Sequence, residues 1–346
     1  MLTPSRIQAV VAMNDSDPYY RRIISSIKHA AETTVATPFR LKSASHPLYS
    51  AWVINTILTL ANLSDWDPSN FLTTADITMT IALGYDWVYH ELSEDQRRII
   101  ELAIVNKGLL PALNAPRNSW VSFTNNWVQV TRGCLVTAAL AIGDTNATLA
   151  NKIMNFSIPP LRVSLEQCAP DGGWPEGYSY GTYAEDYFVL MLRSLETALG
   201  HDLGLTSLSG INNIGAWLTH FLGQAGGFSW ADGAWKFANA NGLWNAAAAF
   251  QAFIFYDSKL MTPNVLPSLA RYDQFAGVAG MTYRSSWTDP KGGWFFGFMG
   301  GFNGCSHGHL DSGSFVIDYK GYRWAQLLGS DSYSLKNYFH APFRWN

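Results

Sequence analysis

The sequence predicts an α+β protein of two domains, a toroid or solenoid of α/α helix hairpins followed by an antiparallel β-domain. Up to about residue 265, apolar residues recur at the three- and four-residue spacings of helices, and the connections are mostly short. Short connections make consecutive helices antiparallel neighbours. Near residue 270 the pattern changes to strand-type alternation with aromatic and glycine residues. We therefore place the domain boundary at about residues 265–272, with the helical domain at 1–268 and the start of the β-domain at 269–346.

Each helix is predicted from its apolar spacing, and two also have start signals. Ser93 followed by Gln96 resembles a capping box, and Asp144-Thr145 precedes a further helix. The predicted helices cover residues 18–34, 47–62, 71–91, 94–108, 127–142, 147–165, 183–199, 207–222 and 242–257. The predicted strands lie within Gly277–Trp287, Gly293–Met299 and Ser312–Tyr319. The chain stops at Asn346 in mid-pattern, so we expect the β-domain to be truncated at the C-terminus.

Composition excludes several classes of protein. The chain has 346 residues, of which 48% are hydrophobic and 14% charged, so it can bury a large core and is not disordered. Its net charge of -3 argues against a nucleic-acid-binding protein, which needs a basic surface to neutralise phosphates. No apolar stretch approaches the roughly 18 residues of a membrane span. The 14 Trp residues suit a carbohydrate cleft and an ordinary large core equally well.

The segment from His307 to Asp311 combines two histidines and a carboxylate immediately before a predicted strand. Histidine is the side chain best suited to moving protons near neutral pH, and it is also the commonest metal ligand. The alternative interpretation is a turn in which His307 and His309 only cap and pack.

A cluster from Pro170 to Tyr183 opens with a glycine- and proline-rich loop, which delivers tyrosines at the start of the following helix. Tyr180, Tyr183 and Tyr187 are spaced by three and four residues and so share one helical face. For Tyr183 and Tyr187 the simplest interpretation is a packed aromatic stripe. Tyr180 is nearest to the loop, and we expect it to reach solvent and substrate.

Two adjacent asparagines, Asn125 and Asn126, open the predicted helix 127–142. Asparagine at a helix start is usually an N-cap. Only one of the two can be the cap, so the other amide could donate to an anionic ligand at the positive end of the helix.

Together these clusters resemble the heparinase II/III-like polysaccharide lyases, which include relatives that act on alginate and on glycosaminoglycans. The resemblance covers roughly residues 60–335. It implies an incomplete (α/α) toroid packed on an antiparallel β-sandwich, with the active site in the cleft between them. The segments that carry it are Asn125-Asn126-Trp127, the Asp171-Gly172 to Glu176-Gly177 loop with Tyr180, the His307 to Phe315 run, Trp66-Asp67-Pro68 and Gly84-Tyr85-Asp86-Trp87.

The resemblance implies β-elimination on a uronic acid residue of an acidic polysaccharide or oligosaccharide. It assigns Asn126 to binding the uronate carboxylate, with Asn125 as the fallback. It makes Tyr180 the proton donor to O4 (and the base in one stereochemical course), and it makes His307 the base or a polarising group. Further substrate-binding residues are expected at Trp127, Gln129, Glu176, Tyr183 and Arg284.

Two positions depart from the pattern of the family. Trp127 stands where several relatives have a second histidine. Some relatives bind a structural zinc through the second histidine of His-x-His, which matches His309, and through an aspartate expected at residues 326–329, but this segment is Gln-Leu-Leu-Gly and has no carboxylate. We therefore expect no required cofactor, and a structural zinc bound by His309 stays as the alternative.

The expected location is extracellular or periplasmic, as for the family. No signal peptide is visible in the first twenty residues, whereas four glycosylation sequons, starting at Asn14, Asn62, Asn146 and Asn155, permit a secretory protein. The three cysteines form no metal or disulfide signature.

Two other functions remain open from the sequence. One is a glycoside hydrolase on a helical toroid, which would use two carboxylates such as Asp171 or Glu176 with Asp232. The other is a non-catalytic carbohydrate-binding or degenerate fragment. The sequence does not distinguish between uronate polysaccharides, between endo and exo cleavage, or between oligomeric states.

Overall fold

The computed structural model describes residues 47–117, 119–233, 270–289 and 292–327. Helices form the first part of this range and an antiparallel sheet forms the second, as the change of sequence pattern predicted. The predicted helices 18–34 and 242–257 and the predicted boundary at residue 268 lie outside the described residues. Among the described helices, none combines the length and the apolar character that crossing a membrane requires.

Most helices begin and end close to the predicted residues. The capping box at Ser93 is present, since its hydroxyl accepts from the Gln96 amide while the Gln96 side chain accepts from the Ser93 amide. The next start signal was misplaced, because Asn146, not Asp144-Thr145, caps its helix by accepting from the Leu149 amide. The helices are α1 Pro47–Ala61, α2 Phe71–Val88, α3 Glu94–Ala103, α4 Leu110–Leu113, α5 Asn126–Ala141, α6 Ala147–Leu165, α7 Gly177–Leu199 and α8 Ile214–Phe221.

Helix α5 forms the centre of the helical part and packs against α2, α6 and α7. Its residues from 128 to 139 are buried on every face of the helix, the apolar Val130 and Leu135 as well as the polar Thr131 and Arg132. Gly133 lets α7 approach, because a Cβ there would lie 3.1 Å from the Tyr187 carbonyl oxygen. The N-terminus of α5 is thereby held in a fixed position.

Helix α7 begins six residues before the predicted start at 183, because the glycines from 172 to 181 suggested a loop. Two of these glycines instead belong to the helix. Gly181 makes room for a neighbouring ring, and Gly177 is the first helical residue. A Cβ on Gly181 would lie 2.8 Å from the Trp217 ring, and Gly177 has a φ of 83° that other residues rarely adopt. Tyr180 is consequently in the first turn of α7.

Helix α8 is shorter than the predicted 207–222 and begins only at Ile214, after a 3₁₀ turn. The chain enters this turn at Gly210, which has a φ of 85° and lies so close to Cys168 that a Cβ would be 1.9 Å from the carbonyl oxygen. The residues before Ile214 are therefore not helical, although their apolar spacing predicted a helix, because the backbone passes close to Cys168 at Gly210.

Five antiparallel strands form one sheet in chain order, each paired with the next. The predicted segment Gly277–Trp287 contributes one strand only, because residues 276–278 form a 3₁₀ turn. The first and last strands of the sheet were not predicted; each has only four residues, too few for a clear alternation. The strands are β3 Tyr272–Phe275, β4 Gly280–Arg284, β5 Trp294–Met299, β6 Ser314–Tyr319 and β7 Tyr322–Ala325, preceded by a small ribbon of β1 Leu222–Gly223 and β2 Gly226–Gly227.

One face of the sheet packs against the helical part. Phe221 and Phe228 share a buried cluster with Phe295 of β5. On the same face, Asp318 of β6 is paired with Phe295 of β5. Its buried carboxylate accepts from the Ala225 amide at 3.1 Å and from Arg323 Nε at 2.7 Å. These contacts hold the sheet so that the loop between β5 and β6 meets the helices.

Candidate functional site

Three residues predicted as catalytic lie together where the β5–β6 loop meets the N-terminal ends of α5 and α7. Asn126 is the first residue of α5, Tyr180 is in the first turn of α7, and His307 belongs to the loop. Asn126 and His307 both contact Glu176, and His307 also contacts Tyr180. The structure therefore brings together residues that come from both parts of the chain.

Glu176 is the centre of this cluster. Its carboxylate accepts from the Asn126 backbone amide at 2.7 Å, from Asn126 Nδ2 at 2.9 Å and from Trp174 Nε1 at 3.0 Å. It also lies 2.6 Å from His307 Nδ1. The residue is only 2% exposed, so it lies beneath the site instead of on the substrate-binding surface where we expected it. In the sequence, the segment Gly172–Gly177 indicated a loop. No pattern there indicated that Glu176 would be the buried centre of the cluster.

His307 is held in an unusual conformation. Its φ is 60°, a left-handed value that is costly for a residue other than glycine, and its carbonyl oxygen accepts from the Asp232 amide at 3.2 Å. A carboxylate only accepts hydrogen bonds, so a hydrogen bond from Nδ1 to Glu176 would place the ring hydrogen on Nδ1 and leave Nε2 as the acceptor nitrogen. The side chain keeps 19% of its surface exposed. His307 is thus an oriented imidazole with a carboxylate partner.

Tyr180 lies against the ring of His307. The two ring centroids are 4.0 Å apart and the planes differ by 13°, which is a stacked arrangement. Only 7% of Tyr180 is exposed, so the ring is more buried than its position beside the glycine-rich loop suggested. Stacking therefore holds the phenol ring and the imidazole ring face to face.

The accessible rim of the site is formed by Asn125 and Trp127. Asn125 caps α5 by accepting from the Trp127 amide at 3.2 Å, and its Nδ2 donates to Ser306 Oγ at 2.9 Å. Trp127 is half-buried, with its ring edge-on to Phe123. Asn126, by contrast, is only 1% exposed and its amide nitrogen donates to Glu176. The asparagine that lies nearer to solvent is therefore Asn125.

Gln129 and Tyr183 lie deeper among the helices than a substrate-binding role implies. Gln129 is buried and accepts from Ser164 at 3.4 Å. Tyr183 is edge-on to Tyr187, whose hydroxyl donates to the Asp76 carboxylate, and burial raises the pKa of Tyr183 to about 12. The spacing of the tyrosines predicted this packed stripe correctly.

Arg284 stabilises the end of α8. Its Nη2 donates to the carbonyl oxygens of His220 at 2.7 Å and Leu222 at 3.0 Å, and its guanidinium lies over the Trp287 ring. Burial lowers the pKa of Arg284 to about 10. Every hydrogen bond that Arg284 makes to the described residues is internal, which differs from the substrate-binding role we expected.

His309 pairs with a carboxylate that the sequence did not connect to it. Its Nε2 lies 2.6 Å from Asp232 Oδ1, and both side chains are buried. A zinc ion would require three or four ligands. The described residues contain no group of three or more His, Cys, Asp or Glu side chains that could hold a metal. The donor set around His309 in this part of the chain does not fit the zinc site of the family.

The carboxylates considered for a hydrolase each have internal partners. Asp171 accepts from the Gly173 amide at 3.3 Å and from the Gly277 amide at 3.1 Å, which fixes its turn. Glu176 and Asp232 are both 2% exposed. No two of these three carboxylates therefore face each other across an open cleft.

Behind the site, Glu185 of α7 lines a small cavity together with Gln129, Cys168, Trp174 and Trp217. The indole nitrogen of Trp217 is buried there without a hydrogen-bond partner in the described residues. Burial, reinforced by the neighbouring Asp186 carboxylate, raises the pKa of Glu185 to about 8. Glu185 is therefore mostly protonated at neutral pH.

Glu185→Gln should stabilise the protein at alkaline pH. The pKa of this carboxyl is 4.5 in the unfolded chain and about 8 in the folded chain. The free energy of unfolding therefore decreases as the pH rises from 4.5 to 8, because only the unfolded chain ionises readily in that range. Because Glu185 is only partly buried by surface area, we expect a gain in the free energy of unfolding of about 2 kcal/mol at pH 9 and almost none at pH 4. Urea titrations at both pH values measure it, with the exposed Glu166→Gln as control. Equal curves for Glu185→Gln and the native protein at pH 9 would contradict the raised pKa.

A scan against the models of known protein families and a search of curated proteins both find no match.

Proposed function

We propose that this protein is a polysaccharide lyase that cleaves a uronic-acid-containing polysaccharide by β-elimination. The observation that carries the proposal is the stacked Tyr180–His307 pair, with Glu176 bound to His307 Nδ1 at 2.6 Å. The proposal includes the fold implied by the heparinase II/III-like resemblance, an incomplete (α/α) toroid followed by a β-sandwich. In that arrangement the site lies in the cleft between the two parts.

The first requirement of β-elimination is a receptor for the uronate carboxylate. The C5 proton is too weakly acidic while the neighbouring carboxylate keeps its full negative charge, so hydrogen-bond donors must stabilise the charge that develops there. Asn125 supports this role, because its amide is at the accessible N-terminus of the 16-residue helix α5. We assign the carboxylate to Asn125 and the helix end, with Asn126 as the buried support.

The second requirement is an acid and a base. His307 Nε2 removes the C5 proton, and Glu176 stabilises the imidazolium that results, as a carboxylate does for a catalytic histidine in other enzymes. The electron pair of the C5–H bond forms the C4–C5 double bond, and the C4–O4 bond breaks. The Tyr180 hydroxyl donates its proton to O4. Each step uses a residue of the stacked cluster or its direct partner.

The test is an assay for the product that only a lyase makes. Incubation with heparan sulfate, hyaluronan, chondroitin and alginate should release oligosaccharides with the ultraviolet absorbance of a C4–C5 double bond conjugated to the carboxylate. New reducing ends without this absorbance would indicate a glycoside hydrolase. Retention on a polymer column without any cleavage would indicate a carbohydrate-binding protein. Either result would overturn the proposal.

A further inference from the structure

Arg132 of α5 carries a charge inside the helical part of the protein. It is only 1% exposed, and burial lowers the pKa of its guanidinium to about 10, so it remains a cation at neutral pH. The arginines that form ion pairs in the described part of the chain are Arg193 and Arg323, and Arg132 is not among them. Its Nε and Nη1 atoms are buried without a hydrogen-bond partner in the described residues. A buried charge with unsatisfied donors costs free energy of folding.

Two aromatic rings enclose this guanidinium. Its central carbon lies 4.8 Å from the ring centroid of Trp120 and 4.1 Å from that of Phe156, and Trp120 is in turn stacked on Phe71. Cation–π attraction offsets part of the cost of burial. A methionine would also fill the space between the rings, and it would bring no charge and no unsatisfied donors. Packing alone therefore does not explain an arginine at this position.

The hydrogen bond that Arg132 makes to the described residues leads towards the candidate site. Its Nη2 donates to the Val121 carbonyl oxygen at 3.2 Å. Val121 is the middle residue of the 3₁₀ turn Trp120–Ser122, and three residues beyond this turn the chain reaches Asn125. We call residues 119–125 the rim loop, because this segment ends at the accessible rim of the site. Arg132 thus holds the rim loop from inside the protein, by the Val121 carbonyl and by the Trp120 ring.

The other half of the rim loop is held by α6. The Thr124 carbonyl oxygen accepts from Ser164 Oγ at 2.8 Å. Phe123 lies between the two anchored carbonyls, is 39% exposed and is edge-on to the Trp127 ring at 5.6 Å. Loss of the contact at Val121 would leave the loop fixed at one end only, so the residues next to the substrate could shift.

We propose that Arg132 is a positioning residue, which fixes the rim loop so that Asn125 presents its amide to the substrate. The effect on the reaction rests on the proposed function, in which Asn125 and the end of α5 receive the uronate carboxylate. The fixed loop itself does not depend on that function. A group that is unfavourable for folding and is nevertheless present is typical of a functional site.

Hydrogen exchange without substrate tests the positioning directly. Arg132→Met keeps a side chain between the two rings and removes the charge and the donor to the rim loop. The amides of Ser122 and Phe123 donate within this loop, and their exchange reports its opening. We expect both to exchange at least about tenfold faster in the variant, as loss of a hydrogen bond from a charged group implies. Amides in the middle of α5 should keep their native rates.

Arg97→Met is the matched control. Arg97 Nη2 also donates to a backbone carbonyl oxygen, that of Tyr89 at 2.9 Å, and its guanidinium lies 4.0 Å from the centroid of the Tyr89 ring. Arg97 belongs to α3, so its loss should leave exchange in the rim loop unchanged. Arg132→Lys is a milder second variant. Its ammonium cannot lie flat between two rings while it donates to Val121, so exchange in the rim loop should again be faster than in the native protein.

A double-mutant cycle with Asn125→Ala tests the effect on the reaction. Arg132→Met should lower kcat/KM on the best uronate polymer by about tenfold or more, because misplaced binding groups lower the rate. In the Asn125→Ala background it should have almost no further effect, since the arginine acts through the asparagine. A purely structural residue would lower kcat/KM by the same factor in both backgrounds.

The outcomes separate this inference from the proposed function. Native exchange rates in the rim loop of Arg132→Met, or of Arg132→Lys if the methionine variant does not fold, would overturn the inference and leave the lyase proposal intact. Equal losses of kcat/KM in both backgrounds would overturn the role of Arg132 in the reaction. If no polymer yields an unsaturated product, the lyase proposal fails, and hydrogen exchange alone decides whether Arg132 fixes the loop.

Discussion

Tyr180→Phe should lower turnover of the preferred uronate polymer by about 10²-fold or more while the protein remains folded. The substitution keeps the ring that stacks on His307 and removes only the hydroxyl that would protonate O4. Loss of a positioned acid or base typically costs 10²- to 10⁴-fold in rate, so the expected decrease is about that large. Loss of one hydrogen bond should change the free energy of unfolding by only about 1 kcal/mol.

The matched control for this substitution is Tyr187→Phe on the same helix. Tyr187 lies two helical turns beyond Tyr180 and its hydroxyl donates to Asp76 of α2, so turnover should stay near that of the native protein. Initial rates of formation of the unsaturated product, together with a thermal melt for each variant, give the comparison. A Tyr180→Phe protein with a near-normal rate would remove the tyrosine from the mechanism and with it the proposed assignment of acid and base.

Glu176→Ala should be among the most destabilising single substitutions in the described part of the chain. Four donor groups surround the buried carboxylate, two from Asn126 and one each from Trp174 and His307. Removing a buried charged partner leaves such groups unsatisfied, and we expect the free energy of unfolding to fall by about 3–5 kcal/mol. His307 also loses the acceptor that orients it, so turnover should decrease in parallel.

Chemical denaturation at one fixed pH measures this effect. Glu166→Ala, at the exposed end of α6, is a suitable control and should change the free energy of unfolding by less than about 0.5 kcal/mol. Glu176→Gln should lie between the two, because it keeps the volume but places an amide donor among other donors. If Glu176→Ala proved as stable as the control, the hydrogen-bond cluster around this carboxylate could not exist as described.

Local patterns in the sequence predicted most of the helices. The capping box at Ser93 and the apolar spacing of 147–165 correspond to observed helices, because capping and amphipathic spacing act between residues only a few positions apart. The change from helix to strand near residue 270 was visible for the same reason. Errors arose where packing outweighed local preference. The glycines up to Gly181 predicted a loop, but the segment from Gly177 is helical, and the absence of a side chain at Gly181 lets the Trp217 ring pack against the helix.

The sequence by itself determined which residue types could perform the chemistry, namely the asparagine pair, Tyr180 and the His307 segment. Only the tertiary structure decided how they are arranged. Glu176 joins Asn126 and His307, which are 50 and 131 positions away from it, through contacts that no local pattern encodes. The same holds for the pairing of His309 with Asp232, 77 positions apart. Such contacts depend on how α5, α7 and the sheet pack, because burial of a carboxylate requires donors from several elements at once.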